Sequence, residues 1–163
     1  MVRKNGGLTL MEMVITVAII GIIAMAAPQV ITQATKVFVL GRTKLQLQSE
    51  ARAAMYVITR ELRQAQSNRI VIDQINGQPY YSRISFPKST GVSVTIAQTG
   101  SSLILTEGAT TNTLSQNLTF LSFTFPRTDD MTIVSVAITL QQQIYGGAFK
   151  ALHMASERVR VMN

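Results

Sequence analysis

The chain has 163 residues, room for one domain of ordinary size plus an appendage. Its 15 Lys and Arg against 8 Asp and Glu give a formal net charge of +7, but the basic residues are spread along the chain, which argues against a dedicated nucleic-acid arm. With no Cys, it can hold neither a disulfide framework nor a thiolate metal site.

The N-terminus reads as three parts: a short basic leader from Met1 to Gly7 carrying Arg3 and Lys4, an apolar run from Leu8 to Ala27, and then Pro28. At about 1.5 Å per residue, a helix of roughly 20 residues spans the hydrocarbon core of a bilayer, about 30 Å thick. Arg3 and Lys4 precede the run, so the positive-inside bias keeps the leader in the cytoplasm and sends the rest across. A cleaved secretory signal fits less well, because its apolar core runs only about 7 to 15 residues. Pro28 is expected to bend the helix or to remove one of its hydrogen bonds.

Glu12 interrupts this run about one turn from its start, and an acid inside a span is costly enough to need a reason. If the chain were cut between Gly7 and Leu8, the new α-amino group at i and Glu12 at i+4 would share a helix face, giving the carboxylate a cation. The alternative is an acid that snorkels to the membrane edge.

The run "GLTLMEM", residues 7 to 13, resembles the class III leader motif of type IV pilins and type II secretion pseudopilins. The resemblance implies that a prepilin peptidase cuts after Gly7 and methylates Leu8, and that Glu12 is the acid used in subunit assembly. Its implied partners are that peptidase, other pilin or pseudopilin subunits and an inner-membrane assembly platform; no cofactor is implied. Two positions depart from the pattern: Leu8 stands where Phe is usual, and Pro28 falls one residue earlier than the kinking proline of major pilins.

Beyond Pro28 the pattern becomes one-sided. Leu47, Ala51, Ala54, Ile58, Leu62 and Ala65 recur at spacings of three and four, with Glu50, Arg52, Arg60, Glu61 and Arg63 on the remaining faces, which predicts an amphipathic helix to about Gln66. Gly41 is a weak point between the halves, costing about 1 kcal/mol relative to Ala. The stretch "AMYVITRELRQAQS", 54 to 67, is similar to the helix end of J-class minor pseudopilins and W-like minor pilins. Arg60, Arg63 and Arg69 read as a solvated face rather than a binding patch.

From Arg69 the apolar period becomes two: Val92, Val94 and Ile96; Val134, Val136, Ile138 and Leu140; Val159 and Val161. Turn signals stand at 76–79, 98–102, 126–130 and 145–147. Within "LTFLSFTF" the apolar parity shifts between Phe120 and Leu121, predicting a bulge or a strand that changes sheets. The fold class is α+β, a long N-terminal helix with a transmembrane half and an amphipathic half, packed on a C-terminal antiparallel sheet. The expected divisions are a leader at 1–7, a membrane or filament-core helix at 8–30, an amphipathic helix at 31–67 and a β-rich domain at 68–163, with 31–163 exported as one domain.

Catalytic signals are sparse. His153 has no metal-ligand or triad spacing and reads as a strand residue. Asp129 and Asp130 fall short of the six to eight oxygens that calcium takes and read as turn residues. "NLT" at 117–119 is a sequon inside an expected strand. The reading is therefore a minor pilin or pseudopilin: a structural subunit rather than an enzyme, anchored in the inner membrane by a single pass, then built into a filament. Two alternatives stay open: a signal-anchored periplasmic binding protein or enzyme, and a DNA-uptake minor pilin resting on the positive balance, which falls to about +5 once Arg3 and Lys4 leave.

Overall fold

The computed structural model describes residues 9–147 and 149–162, Phe149 by its backbone alone. The chain divides into two compact units, with the boundary after Gly41. A single helix, α1 (Leu10–Arg63), contributes to both.

In the first unit the stretch of α1 from Leu10 to Ala27 is apolar on every face but for Glu12 and Thr16, and is largely uncovered. Leu10, Met11, Val14, Ile19, Ile22 and Met25 are all exposed, and no residue of its most apolar 18-residue window is buried. Such a helix is long and apolar enough to cross a membrane. Pro28 lies inside it, and its missing N–H leaves the Ala24 carbonyl without the usual donor four residues on. The Pro28 carbonyl accepts from Thr32 Oγ1 at 2.7 Å.

In the second unit the predicted stripe is buried from end to end: Leu47, Ala51, Ala54, Ile58, Leu62 and Ala65 are each at most 1 % exposed. The helix is shorter than expected at its C-terminal end, stopping at Arg63 rather than near Gln66. Its last amides, Gln64 and Ala65, bond back to Glu61 and Leu62, three residues away, which tightens the final turn. The chain then runs antiparallel to 87–89: Ala65 bridges Lys88, Gln66 N donates to the Pro87 carbonyl, and Ser89 N to that of Gln64. Those backbone bonds take Ala65 and Gln66 out of the helix.

The cover comes from two antiparallel sheets rather than one. Strands β1 (Val71–Asp73), β2 (Arg83–Pro87), β3 (Ser93–Thr99), β4 (Ser102–Glu107) and β5 (Thr110–Ser115) form a five-stranded meander in chain order. Strands β6 (Leu118–Thr124), β7 (Ile133–Ile144) and β8 (Phe149–Arg160) form a three-stranded one. Two-residue hairpin loops join β3 to β4 and β4 to β5, each opening on a glycine at positive φ, Gly100 (60°) and Gly108 (56°), as the strand twist favours. The parity shift in "LTFLSFTF" is a register shift between Leu118 and Phe120, just after the chain has changed sheets. It buries Leu118, Leu121 and Phe123 on one side and leaves Phe120 exposed. Val92 precedes β3 instead of lying in it, and Val161 follows β8 but is buried, its N–H donating to the Thr132 carbonyl.

The stripe thus finds its cover within residues 42–163. A chain beginning at Lys36 is expected to be soluble and to melt cooperatively by circular dichroism. Leu62→Asp, which buries an unpartnered charge, should lower the stability of that fragment by several kcal/mol. A fragment that aggregates with Leu62 intact would mean that the stripe needs another chain.

Candidate functional site

The site begins where α1 begins. Thr9 is the cap residue and Glu12 the third residue of the first turn. Glu12 Oε2 accepts from both Thr9 N and Thr9 Oγ1 at 3.0 Å, while Glu12 N lies 3.3 Å from Thr9 Oγ1 as donor. This reciprocal pattern is a capping box, which satisfies amide donors that the first turn would otherwise leave open. A carboxylate there also faces the positive end of the helix dipole. Thr16 continues the pattern, its hydroxyl donating to the Glu12 carbonyl at 2.6 Å. The Glu12 side chain is therefore turned back toward Thr9 at the start of the helix. Arg3, Lys4, Gly7 and Leu8, the other predicted site residues of this segment, lie outside the described residues. Pro28 is inside α1, in the same unit as Glu12.

A second polar centre lies at the other end of α1, and the sequence pattern had assigned it to solvent. Glu61 is 2 % exposed instead of facing outward. Lys88, just after β2, places Nζ 2.6 Å from Glu61 Oε2 and also pairs with Glu107 at the end of β4. Arg60 closes the other side, its Nε and one terminal nitrogen donating to Glu61 Oε1 at 2.9 and 2.7 Å. Glu61 follows Ile58 by three and Ala54 by seven, so it falls on the buried stripe by spacing; its charge hid this. Burial pushes the Glu61 carboxyl up, but Lys88 and Arg60 outweigh it and hold it below its ordinary value. Burial likewise pushes Lys88 down, and bonds to Glu107 and Glu61 carry it above its own. The cluster clamps the helix end to the five-stranded sheet. Its charges neutralise one another, with Glu61 Oε2 resting on the Lys88 ammonium.

The remaining candidates are engaged in local pairings. His153 lies in β8 opposite Leu140. Asp129 makes a two-point contact with Arg127 at 2.9 and 3.1 Å, and Asp130 accepts from Thr132 N at 2.9 Å. Asn117 of the sequon donates to Glu50 Oε2 at 3.0 Å, tying the crossing between sheets to α1. Among the described residues no group of three or more His, Cys, Asp or Glu could hold a metal ion.

Residues 2–28 match the family model described as the prokaryotic N-terminal methylation motif. Such a motif accompanies class III prepilin leaders, and the match supports one here. That motif is typical of type IV pilins and pseudopilins, and it implies processing by a prepilin peptidase and assembly with other pilin subunits. It supports a type IV pilin-like protein, and the uncovered apolar helix fits a single-pass membrane anchor. No curated protein and no solved structure matches the chain.

The buried cluster gives a pH profile. Glu61, held below its ordinary 4.5, contributes stability that is full above that value and is lost as pH falls through the lowered one. Lys88, held above its ordinary 10.5, contributes below that value and loses it as pH rises through the raised one. Melting temperature should therefore be flat between these limits and fall outside both. Lys88→Ala should cost about 3 kcal/mol near neutral pH by leaving Glu61 short of a buried partner. It should also flatten the acid limb; a variant that keeps the full acid limb would contradict the assignment.

Proposed function

We propose that this protein is a minor pilin or pseudopilin, a structural subunit built into a type II secretion pseudopilus or type IV pilus-like filament after leader removal and N-methylation. The methylation motif at residues 2–28, followed by an apolar helix with no cover of its own, is the observation that carries the reading. In this reading residues 1–7 are the leader, with Arg3 and Lys4 holding it in the cytoplasm. Gly7 is the small residue before the cut and Leu8 the methylated first residue. Residues 8–30 form the membrane and filament-core helix, with Pro28 near its end. Residues 31–67 are the amphipathic segment, helical as far as Arg63, and 68–163 the exported β-rich part.

Glu12 has two successive roles. Before cleavage it caps α1 through Thr9. After cleavage it meets a protonated amine of its own or a neighbouring subunit, in surroundings of low dielectric where the attraction is least screened. The apolar helices then bury one another, and the subunit supports filament assembly and protein secretion rather than catalysis.

Mass spectrometry of protein recovered from membranes should find a chain starting at Leu8 and heavier by one methyl group. Gly7→Glu should leave the leader in place and accumulate precursor; normal-sized mature protein from that variant would contradict the site. Glu12→Gln should leave cleavage intact but reduce incorporation into filaments severalfold at unchanged membrane levels, measured by crosslinking to filament partners. Full incorporation would reduce Glu12 to its capping role.

A further inference from the structure

The three arginines that read as one solvated face part company in the fold. Arg69 lies in a short turn after the helix. Arg63 shares one face of α1 with Arg52 and Tyr56, since offsets of four and eleven return to nearly the same angle along about 16 Å of helix. Beside that face lies a groove of about 560 Å³, lined by Arg52, Met55, Tyr56, Thr59 and Arg63 and, from β8, by Glu157. Tyr56 is 69 % exposed in it, and Thr59 Oγ1 donates across it to Glu157 Oε2 at 3.2 Å. β8 is the edge of the three-stranded sheet, so the groove is bounded by a helix on one side and a strand without a neighbour on the other.

The chain's own charges select the occupant. Each of its 8 acidic side chains already has a partner: Glu12 has Thr9, Glu50 has Asn117, Glu61 has Arg60 and Lys88, and Asp73 has Arg83. Glu107 likewise has Lys88, Asp129 has Arg127, Asp130 has Thr132, and Glu157 has Thr59. Arg52 and Arg63 have no hydrogen bond or ion pair among the described residues. A second copy carries the same net positive charge and offers only carboxylates that are already engaged, so it is the poorer electrostatic match to two arginines. A nucleic acid would set a continuous row of phosphates against Glu157. A protein segment avoids both costs, because it can bring carboxylates to the arginines and an uncharged side chain to the remainder. Arg and Tyr are also the residue types that most often dominate binding when they flank a pocket.

We propose that this groove docks an acidic segment of a different protein subunit, with carboxylates on Arg52 and Arg63 and an apolar side chain against Met55 and Tyr56. Only the partner's being a filament subunit rests on the reading above; the chemistry of the groove does not. Arg60 is held on Glu61 and contributes field rather than a free fork.

The test places a photoreactive benzophenone side chain at Tyr56 of the full chain in its own cells and, separately, at Val17 in the apolar half of α1. Crosslinked products are mapped by mass spectrometry. The Tyr56 product should map to a segment of another protein carrying two or more Asp or Glu. Arg52→Glu with Arg63→Glu should lower its yield about tenfold or more while the Val17 product persists. Replacing the mapped acids by Arg in the partner should restore it. Arg52→Gln with Arg63→Gln should give a smaller loss at equal amounts of mature protein, separating charge from folding. A Tyr56 product on a second copy, on nucleic acid or on lipid, no product, or a yield indifferent to charge reversal would overturn the proposal. Loss of the Val17 product with the Tyr56 product intact would contradict the filament reading and leave the groove assignment standing.

Discussion

α1 carries two kinds of apolar surface, and its own chain covers only one of them. From Leu10 to Ala27 the side chains are apolar all round, and large ones such as Val17, Ile20 and Ile23 are more than half exposed. Apolar area in water costs about 25 cal/mol per Å², so a surface of this kind persists only when lipid or other helices take it over. From Leu47 onward the apolar residues narrow to a stripe, and two sheets of the same chain bury it completely. One helix therefore serves both as the scaffold of a self-contained domain and as an element left for others to cover. The methylation motif stands at the end that needs the others.

Two acids at opposite ends of α1 show how position decides the cost of a charge. Glu12 lies in the first turn, where open amides and the dipole both favour a carboxylate, and Thr9 is enough to hold it. Glu61 lies in the last turns, where the dipole opposes an acid, and burial adds to the cost. It is retained because Lys88 and Arg60 bracket it. The first acid is held at the start of the helix by Thr9. The second is locked into the domain and serves its geometry.

What could be read from the sequence was whatever rests on local pattern. The stripe from Leu47 to Ala65 follows from spacing alone, and every member is buried. The change of parity between Phe120 and Leu121 marks a real irregularity because a one-residue slip exchanges the faces of a strand. Elements that depend on distant partners were not readable. β5, "TTNTLS", is a polar strand that exists because β4 offers its edge, and its sequence carries no alternation of its own. The helix stops at Arg63 because residues 64–66 find strand-like partners at 87–89, which no helix signal announces. Glu61 escapes the pattern because a charge signals exposure, while the lysine that allows its burial, Lys88, is far away in sequence. Arg52 and Arg63 gained meaning only when β8 supplied the other wall of their groove.

The central claim is that α1 is covered by two different environments, and the absence of Cys makes it directly measurable. Single cysteines along α1 in native membranes would be treated with a membrane-impermeant maleimide. At Met13, Ile15, Ile23 and Met25, which at about 100° per residue point to different sides of the helix, labelling should be blocked at every position, because lipid or neighbouring helices cover all sides. At Ala51, Ala54 and Ile58 it should be blocked by the sheets, while Ser49 and Ala53 on the outer side label freely. Labelling that alternates with helical phase between residues 13 and 25, as it does further along, would mean that a one-sided protein surface rather than a membrane or filament core covers the first half, and would contradict the account.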